Sequence, residues 1–217
     1  MVHDFCSTIF FCYHKPMRKI HILFTILLFT IQLQAQDVNL LNRINAVNGK
    51  IKSFEADLSN TLVKQKKNTS QKGKLYFVSP DNFSAQFTTG KFMTVNEKKI
   101  KMNIGLFRGT YKLKDGGIMQ SLSHIFLYGF QGRLQDLADE NDYNLTTKTE
   151  NGYHIVTETT NKQKLLGIGY KQVIFKYHTD TLLLKEIVLY DYSGNKDTYT
   201  ISNVKYDISI DSKRFQF

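Results

Sequence analysis

The chain has 217 residues, of which 41% are hydrophobic, and its formal net charge is +10 at neutral pH. It is long enough to bury the core of one domain, and no nucleic-acid-binding motif accompanies the positive charge. We therefore expect the charge to serve an anionic membrane surface or an acidic partner, and no nucleic acid.

The N-terminal region contains the three parts of a secretory signal peptide, over about residues 17–35. Arg18 and Lys19 form a short positive segment, residues 20–31 form an apolar run, and Ala35 offers a small residue at a plausible cleavage point. The apolar run is shorter than the roughly 20 residues that a membrane-spanning helix needs. We therefore expect an exported, periplasmic protein.

The domain boundaries follow from this signal peptide. Residues 1–16 precede the positive segment and are expected to be an upstream extension, with translation starting at Met17. They hold both cysteines of the chain, so we expect the exported domain, residues 36–217, to have no disulfide and no thiolate metal site. Gln36 stands where a lipoprotein signal would have cysteine, which predicts a released protein without a lipid anchor.

The first half of this domain is predicted to be a short helix followed by β-strands. Asp37 can cap a helix, and apolar residues recur after it at helical spacing up to Ile51. From Ser53 onward apolar and polar residues alternate, as in half-buried strands. Turn signals separate the strands at residues 69–71, 79–82 and 96–98.

One segment departs from the β pattern. Gly116–Gly132 carries Ile118, Met119, Leu122, Ile125 and Phe126 on one helical face and predicts an amphipathic helix between glycines. Two interpretations remain open, a core helix packed against the sheet or a movable lid over an apolar cavity with the glycines as hinges.

The second half is predicted to return to strands, which makes one continuous sheet with helical inserts. A turn is expected at residues 191–195. The predicted strands are residues 153–159, 171–177, 182–190, 196–203 and 206–210.

No catalytic motif is present, so we predict a protein that is not an enzyme and that has no cofactor and no metal. His124, His154 and His178 are isolated in the sequence. The acidic residues between 136 and 142 lack the turn glycine and the full ligand pattern of a calcium loop, which favours a solvated loop.

Several short motifs follow one another along the predicted strands. Residues 73–80 carry a G-x-L-x-[FV] strand that ends in a Pro turn, residues 82–87 an aromatic strand, and residues 92–100 the next hairpin. This order resembles that of the LolA family of lipoprotein carriers. Residues 189–203 resemble a later strand pair, and residues 210–217 match its terminal I-x-x-x-x-F-x-F. Nearly all of residues 38–217 is covered, as a divergent member.

This resemblance implies a mainly β (α+β) fold, an incomplete antiparallel β-barrel of about eleven strands closed by helices. It also implies a monomeric periplasmic chaperone that binds acylated lipoproteins or lipid. Such a carrier takes lipoproteins from an inner-membrane ABC transporter to an outer-membrane acceptor. Ser79 stands where enterobacterial-type carriers have a basic residue linked to cargo release. The alternatives are a sensor module similar to RseB and a carrier of another lipid.

Large apolar residues on strand faces and on the predicted helix are the candidate lipid-binding residues. Each of them can also be ordinary packed core. The methionines among them would suit an adaptable lipid surface. The candidates are Phe77, Phe83, Phe87, Phe92, Met102, Ile104, Met119, Leu122, Ile125, Phe126 and Phe130.

Overall fold

A computed structural model describes residues 38–64, 67–104, 107–113, 117–160 and 169–217. By its contacts the chain divides into two units, Met1–Asn39 and Leu40–Phe217. Apart from residues 38 and 39, everything described below belongs to the second unit. The predicted signal peptide and upstream extension lie outside the described residues.

Eleven antiparallel strands account for most of the second unit. The first six strands are β1 (Ser53–Lys64), β2 (Lys67–Val78), β3 (Asn82–Phe87), β4 (Phe92–Asn96), β5 (Lys99–Ile104) and β6 (Phe107–Lys112). The last five are β7 (Asn144–Glu150), β8 (Tyr153–Thr159), β9 (Tyr170–His178), β10 (Leu184–Asp191) and β11 (Lys196–Tyr206).

All eleven strands form one sheet with the order β6-β5-β4-β3-β2-β1-β11-β10-β9-β8-β7. Neighbours along the chain pair as hairpins, and β1 and β11 join the two halves, with Phe54 opposite Tyr206 and Val63 opposite Lys196. β6 and β7 are the two edges, and within the described residues they do not pair with each other, so the sheet is open. The predicted mainly β, incomplete-barrel fold is confirmed.

Three helices and a short 3₁₀ helix complete the described structure. They are α1 (residues 38–48), α2 (Ile118–Gln131), α3 (Leu134–Asn141) and the 3₁₀ helix Ser212–Phe215. No helix in the described part of the chain is long and apolar enough to cross a membrane.

The helix α2 confirms the predicted amphipathic helix, whereas α3 corrects the predicted loop. Leu134, Leu137 and Ala138 are buried on one face of α3, and the spacing of three and four residues between them is helical. The acidic residues of this segment point away from that face. Their number obscured the short apolar stripe, because only three positions of an eight-residue helix are buried.

Some predicted boundaries were wrong. Residues 69–71 lie inside β2 and not in a turn, and the strand predicted at residues 206–210 ends at Tyr206. The chain leaves the sheet there because Asp207 adopts a positive φ of 52°. Its carboxylate also accepts a hydrogen bond from the backbone N–H of Lys52 at 3.1 Å. β6 and β7 were not predicted.

One face of the sheet, which we call the inner face, is buried against the helices. Successive strand residues point to opposite faces, so every second residue contributes to it. Its central members include Phe54, Leu58, Leu75, Phe77, Phe83, Met93, Val95, Ile100, Met102, Val156, Val173, Phe175, Tyr177, Ile187, Leu189, Tyr199 and Ile201. Leu41 and Ile44 of α1 and the buried residues of α2 join the same cluster.

The opposite, outer face is covered near β3 and β4 by the C-terminal segment. Phe215 is buried there, and its backbone carbonyl accepts a hydrogen bond from the amide of Asn96 at 3.0 Å. The guanidinium of Arg214 lies 4.0 Å from the ring centre of Tyr76. The outer face therefore has its own small cover, separate from the main core.

Candidate functional site

The candidate site is the contact between α2 and the inner face. At its centre, the ring of Phe130 lies 5.4 Å from that of Phe54, 5.5 Å from Phe77 and 5.8 Å from Phe83, all in edge contacts. Aromatic pairs of this kind contribute about 0.5–1.5 kcal/mol each beyond the area that they bury. The C-terminal half of α2 is therefore packed tightly on the sheet.

Ten of the eleven predicted lipid-binding residues lie together in this cluster. The exception is Phe92, which is on the outer face, because its neighbour Met93 points inward and its cross-strand partners are Gln86 and Asn103. The buried members are Phe77, Phe83, Phe87, Met102, Ile125, Phe126 and Phe130. The partly buried members are Ile104, Met119 and Leu122.

Hydrogen bonds between side chains and backbone carbonyls also hold the C-terminal half of α2 in place. The Tyr177 hydroxyl donates a hydrogen bond to the carbonyl of Gly129 at 2.7 Å, and the Gln131 amide donates to the carbonyl of Pro80 at 2.6 Å. A Cβ atom at Gly129 would lie only 2.7 Å from Cε1 of Phe175. The glycine thus lets the helix approach the sheet closely.

The N-terminal half of α2 is held less firmly. Ile118 is 41% exposed, Met119 and Leu122 are only partly buried, and the N-cap residue is Gly117, which has no side chain that could cap the first turn. Gly117 is extended, while at the other end Gly132 stops the helix in a left-handed conformation with φ 70°. The helix is therefore anchored at one end and loosely packed at the other.

The free volume beside α2 also differs between its two ends. Under the C-terminal half, beside Phe54 and Phe130, the free volume is about 10 Å³, enough for one water and for no acyl chain. Beside the N-terminal half, an open groove of about 440 Å³ lies between β6 and the start of α2. Tyr111, Ile118 and Met119 are among its lining residues.

Two inward-facing carboxyl groups were missed in the sequence. Asp197 accepts hydrogen bonds from the Asn60 amide and, at 2.9 Å, from the Tyr199 hydroxyl, and burial raises its pKa. Glu158 is fully buried, neither carboxyl oxygen has a hydrogen-bond partner among the described residues, and burial raises its pKa to about 9. Residues in β8 alternate between the two faces of the sheet, so Glu158 lies on the same face as Val156. This alternation could have predicted from the sequence that Glu158 faces inward.

A polar cluster joins α2 to α3 at the surface. His124 Nδ1 lies 2.6 Å from Oε2 of Glu140, and the Tyr128 hydroxyl donates to Oε1 of the same carboxylate at 2.7 Å. Burial and this carboxylate raise the pKa of Tyr128 to about 12, and the Arg133 guanidinium lies 4.3 Å from its ring centre. Within the described residues, no group of three His, Cys, Asp or Glu side chains could hold a metal ion.

A larger depression of about 740 Å³ lies on the outer face, between the β4–β5 turn and the C-terminal segment. Asn82, Asn96, Lys98 and Lys99 are among its lining residues, with Phe215 and Phe217 on the apolar side. None of the predicted lipid-binding residues lines it. It is therefore distinct from the candidate site.

No protein-family model matches the sequence, and no curated protein is significantly similar to it. Among solved structures, a DUF1329 family protein from Desulfovibrio piger is 15% identical, with a TM-score of 0.44 over 82% of this chain and 95% of that one. A LolA superfamily protein from Nitrosomonas europaea is 10% identical, with a TM-score of 0.42 over 82% of this chain and 96% of that one.

A chain of the MucA/MucB complex from Pseudomonas aeruginosa is also similar. It is 12% identical, with a TM-score of 0.42 over 82% of this chain and 60% of that one. At these identities and scores the likeness concerns the fold and says nothing about cargo. A protein of the LolA superfamily is thus among the solved structures to which this chain is similar.

Proposed function

We propose that this chain is an exported carrier that binds the acyl chains of lipoproteins between α2 and the inner face. It would take them from an inner-membrane ABC transporter to an acceptor at the outer membrane. Each methylene that leaves lipid for water costs about 0.8 kcal/mol, so a lipoprotein with several acyl chains does not cross an aqueous space unaided. An apolar face that opens only for cargo offsets this cost.

The observation that carries the proposal is the uneven attachment of α2. Its C-terminal half is fixed by Phe130 and by the Tyr177 hydrogen bond, while its N-terminal half borders the open groove of about 440 Å³. An acyl chain that enters beside Met119 and Leu122 would first meet partly buried side chains that can repack. Further chains would then displace the N-terminal half of α2 and extend along the inner face.

Lysines at this edge of the sheet suit a membrane surface. Lys112 lines the groove and lies opposite Lys99 in the β5–β6 pair. Lys99 and Lys101 alternate with the inward-facing Ile100 and Met102, so they lie on the outer face of the sheet. Basic residues near an anionic membrane each contribute about 1 kcal/mol to surface attraction. The positive charge would thus bring this edge of the sheet close to phosphate headgroups.

The first test is native mass spectrometry of residues 36–217 purified from the periplasm without detergent. We expect a monomer with co-purifying acylated peptide or lipid. Met119→Glu and Leu122→Glu should abolish the bound mass, because a charge at the entrance would be buried against acyl chains. Val38→Glu is the matched control, because Val38 is apolar and 55% exposed.

Phe126 is not a suitable test position, because it is buried and its substitution by Glu would unfold the protein. A wild-type protein that carries no lipid and takes up no added lipopeptide would exclude the proposed function. Equal loss of binding in Val38→Glu would show that charge alone, and not its place at the entrance, causes the effect.

A further inference from the structure

We propose that Glu158 is the polar contact for cargo on the inner face and that its carboxyl group donates a hydrogen bond to an ester carbonyl of the bound acyl chains. This inference rests on the proposed function and adds a chemical preference to it. The expected ligand class is a glyceryl lipid whose chains are joined by esters.

The position of Glu158 is the first argument. It lies on β8 between Leu145 of β7 and Val173 of β9, with which it is paired across the sheet. Val173 is opposite Leu189, and Leu189 is opposite Asp197, so both inward-facing carboxyl groups belong to one row across the inner face. A chain lying along this row would have Glu158 at one end of an apolar path.

The second argument is the contrast between the two carboxyl groups. Asp197 is partly buried and has two side-chain donors, Asn60 and Tyr199, whereas Glu158 is fully buried and has no partner among the described residues. Buried polar side chains nearly always find a partner, because leaving one unpaired destabilises the fold. A group that the protein does not satisfy itself is available to a ligand.

The third argument concerns the kind of ligand. Burial is the only cause that raises the pKa of Glu158 to about 9, so the carboxyl is neutral at neutral pH and has one O–H to donate. The titratable groups that face it, Tyr143 and Tyr177, are neutral too, because burial raises the pKa of Tyr143 to about 12 and that of Tyr177 well above its usual value. A neutral donor in an apolar site fits a carbonyl oxygen and does not fit a cation.

The test compares two synthetic lipopeptides that differ only in this carbonyl. One carries two palmitoyl esters on a glyceryl-cysteine, and the other carries two alkyl ethers of the same length. Affinities are measured for the wild type, for Glu158→Gln, which keeps a donor, and for Glu158→Leu, which has none. One hydrogen bond corresponds to a preference of about three- to tenfold.

We expect the wild type and Glu158→Gln to prefer the ester by this factor and Glu158→Leu to bind the two lipopeptides equally. Equal affinity of the wild type for ester and ether, or a preference that persists in Glu158→Leu, would overturn the role of Glu158 and leave the carrier function standing. Failure of the wild type to bind either lipopeptide would overturn both.

Discussion

Substitution of Glu158 by Gln should stabilise the protein by an amount that grows with pH. The pKa of the carboxyl is about 9 in the folded protein and 4.5 in the unfolded chain. Below pH 4.5 both states bind the proton, and the fold loses nothing. Between the two values only the folded state binds it, so the wild type loses about 1.4 kcal/mol of unfolding free energy per pH unit.

Glutamine is neutral at every pH and avoids this loss. From pH 5 to pH 8 the difference in free energy of unfolding between the variant and the wild type should therefore grow by about 4 kcal/mol in favour of the variant. The assay is urea unfolding followed by far-ultraviolet circular dichroism at pH 5, 6, 7 and 8. Glu150→Gln is the matched control, because Glu150 is exposed and Lys148 lowers its pKa, so its difference from the wild type should stay flat over this range.

A constant difference between Glu158→Gln and the wild type would refute the reasoning. It would mean that Glu158 ionises in the folded protein as it does in water, and hence that water reaches the carboxyl. The inner face beside Val173 would then be accessible to water. A hydrogen bond from Glu158 to a ligand would replace one to water and would add little to the affinity.

Three further substitutions probe the attachment of α2. Gly132→Ala should lower the free energy of unfolding by about 2–4 kcal/mol, because the new Cβ would lie 2.8 Å from a backbone oxygen at a φ of 70°. Gly194→Ala has a φ of 79° but open space around it, so backbone strain should lower the same free energy by only about 1 kcal/mol. Urea titration measures both losses. Tyr177→Phe removes the donor to Gly129, which should cost about 1–2 kcal/mol and speed amide hydrogen exchange in α2; unchanged exchange would contradict the anchoring role. Phe130→Ala should cost about 3–5 kcal/mol and lower the melting temperature, and a loss below 1 kcal/mol would mean that the aromatic cluster is loosely packed.

The sheet and its inner face could be predicted largely from alternation, because burial on one side of a strand imposes a period of two on the sequence. Phe77, Phe83 and Phe87 follow that period and face inward. Phe92 was assigned to the same face because it is large and apolar. The face to which Phe92 points, however, is decided by strand pairing, which turns the neighbouring Met93 inward. The size of a residue does not show to which face of a sheet it points.

The remaining features of the site depend on distant contacts. Whether α2 leaves a cavity is decided by how closely Gly129 approaches Phe175, which are far apart in the sequence. The absence of a described partner for Glu158 likewise follows from which residues surround it in the fold. A periodic pattern shows which face is apolar, but it does not show whether that face is already filled.

The central position of the β1–β11 pair has a consequence for how the chain folds. Strands β2 to β6 and β7 to β10 are built from neighbours in sequence, so each half can form by local hairpins. The pairing of Phe54 with Tyr206 joins residues well over a hundred positions apart, and such contacts form slowly because the intervening loop must close first. The last strand therefore completes the middle of the sheet, and until it docks β1 presents an unpaired edge that can join another chain. During the export that we propose, a chain translocated from its N-terminus would expose this edge until its final residues emerge, and it would be most open to aggregation at that stage.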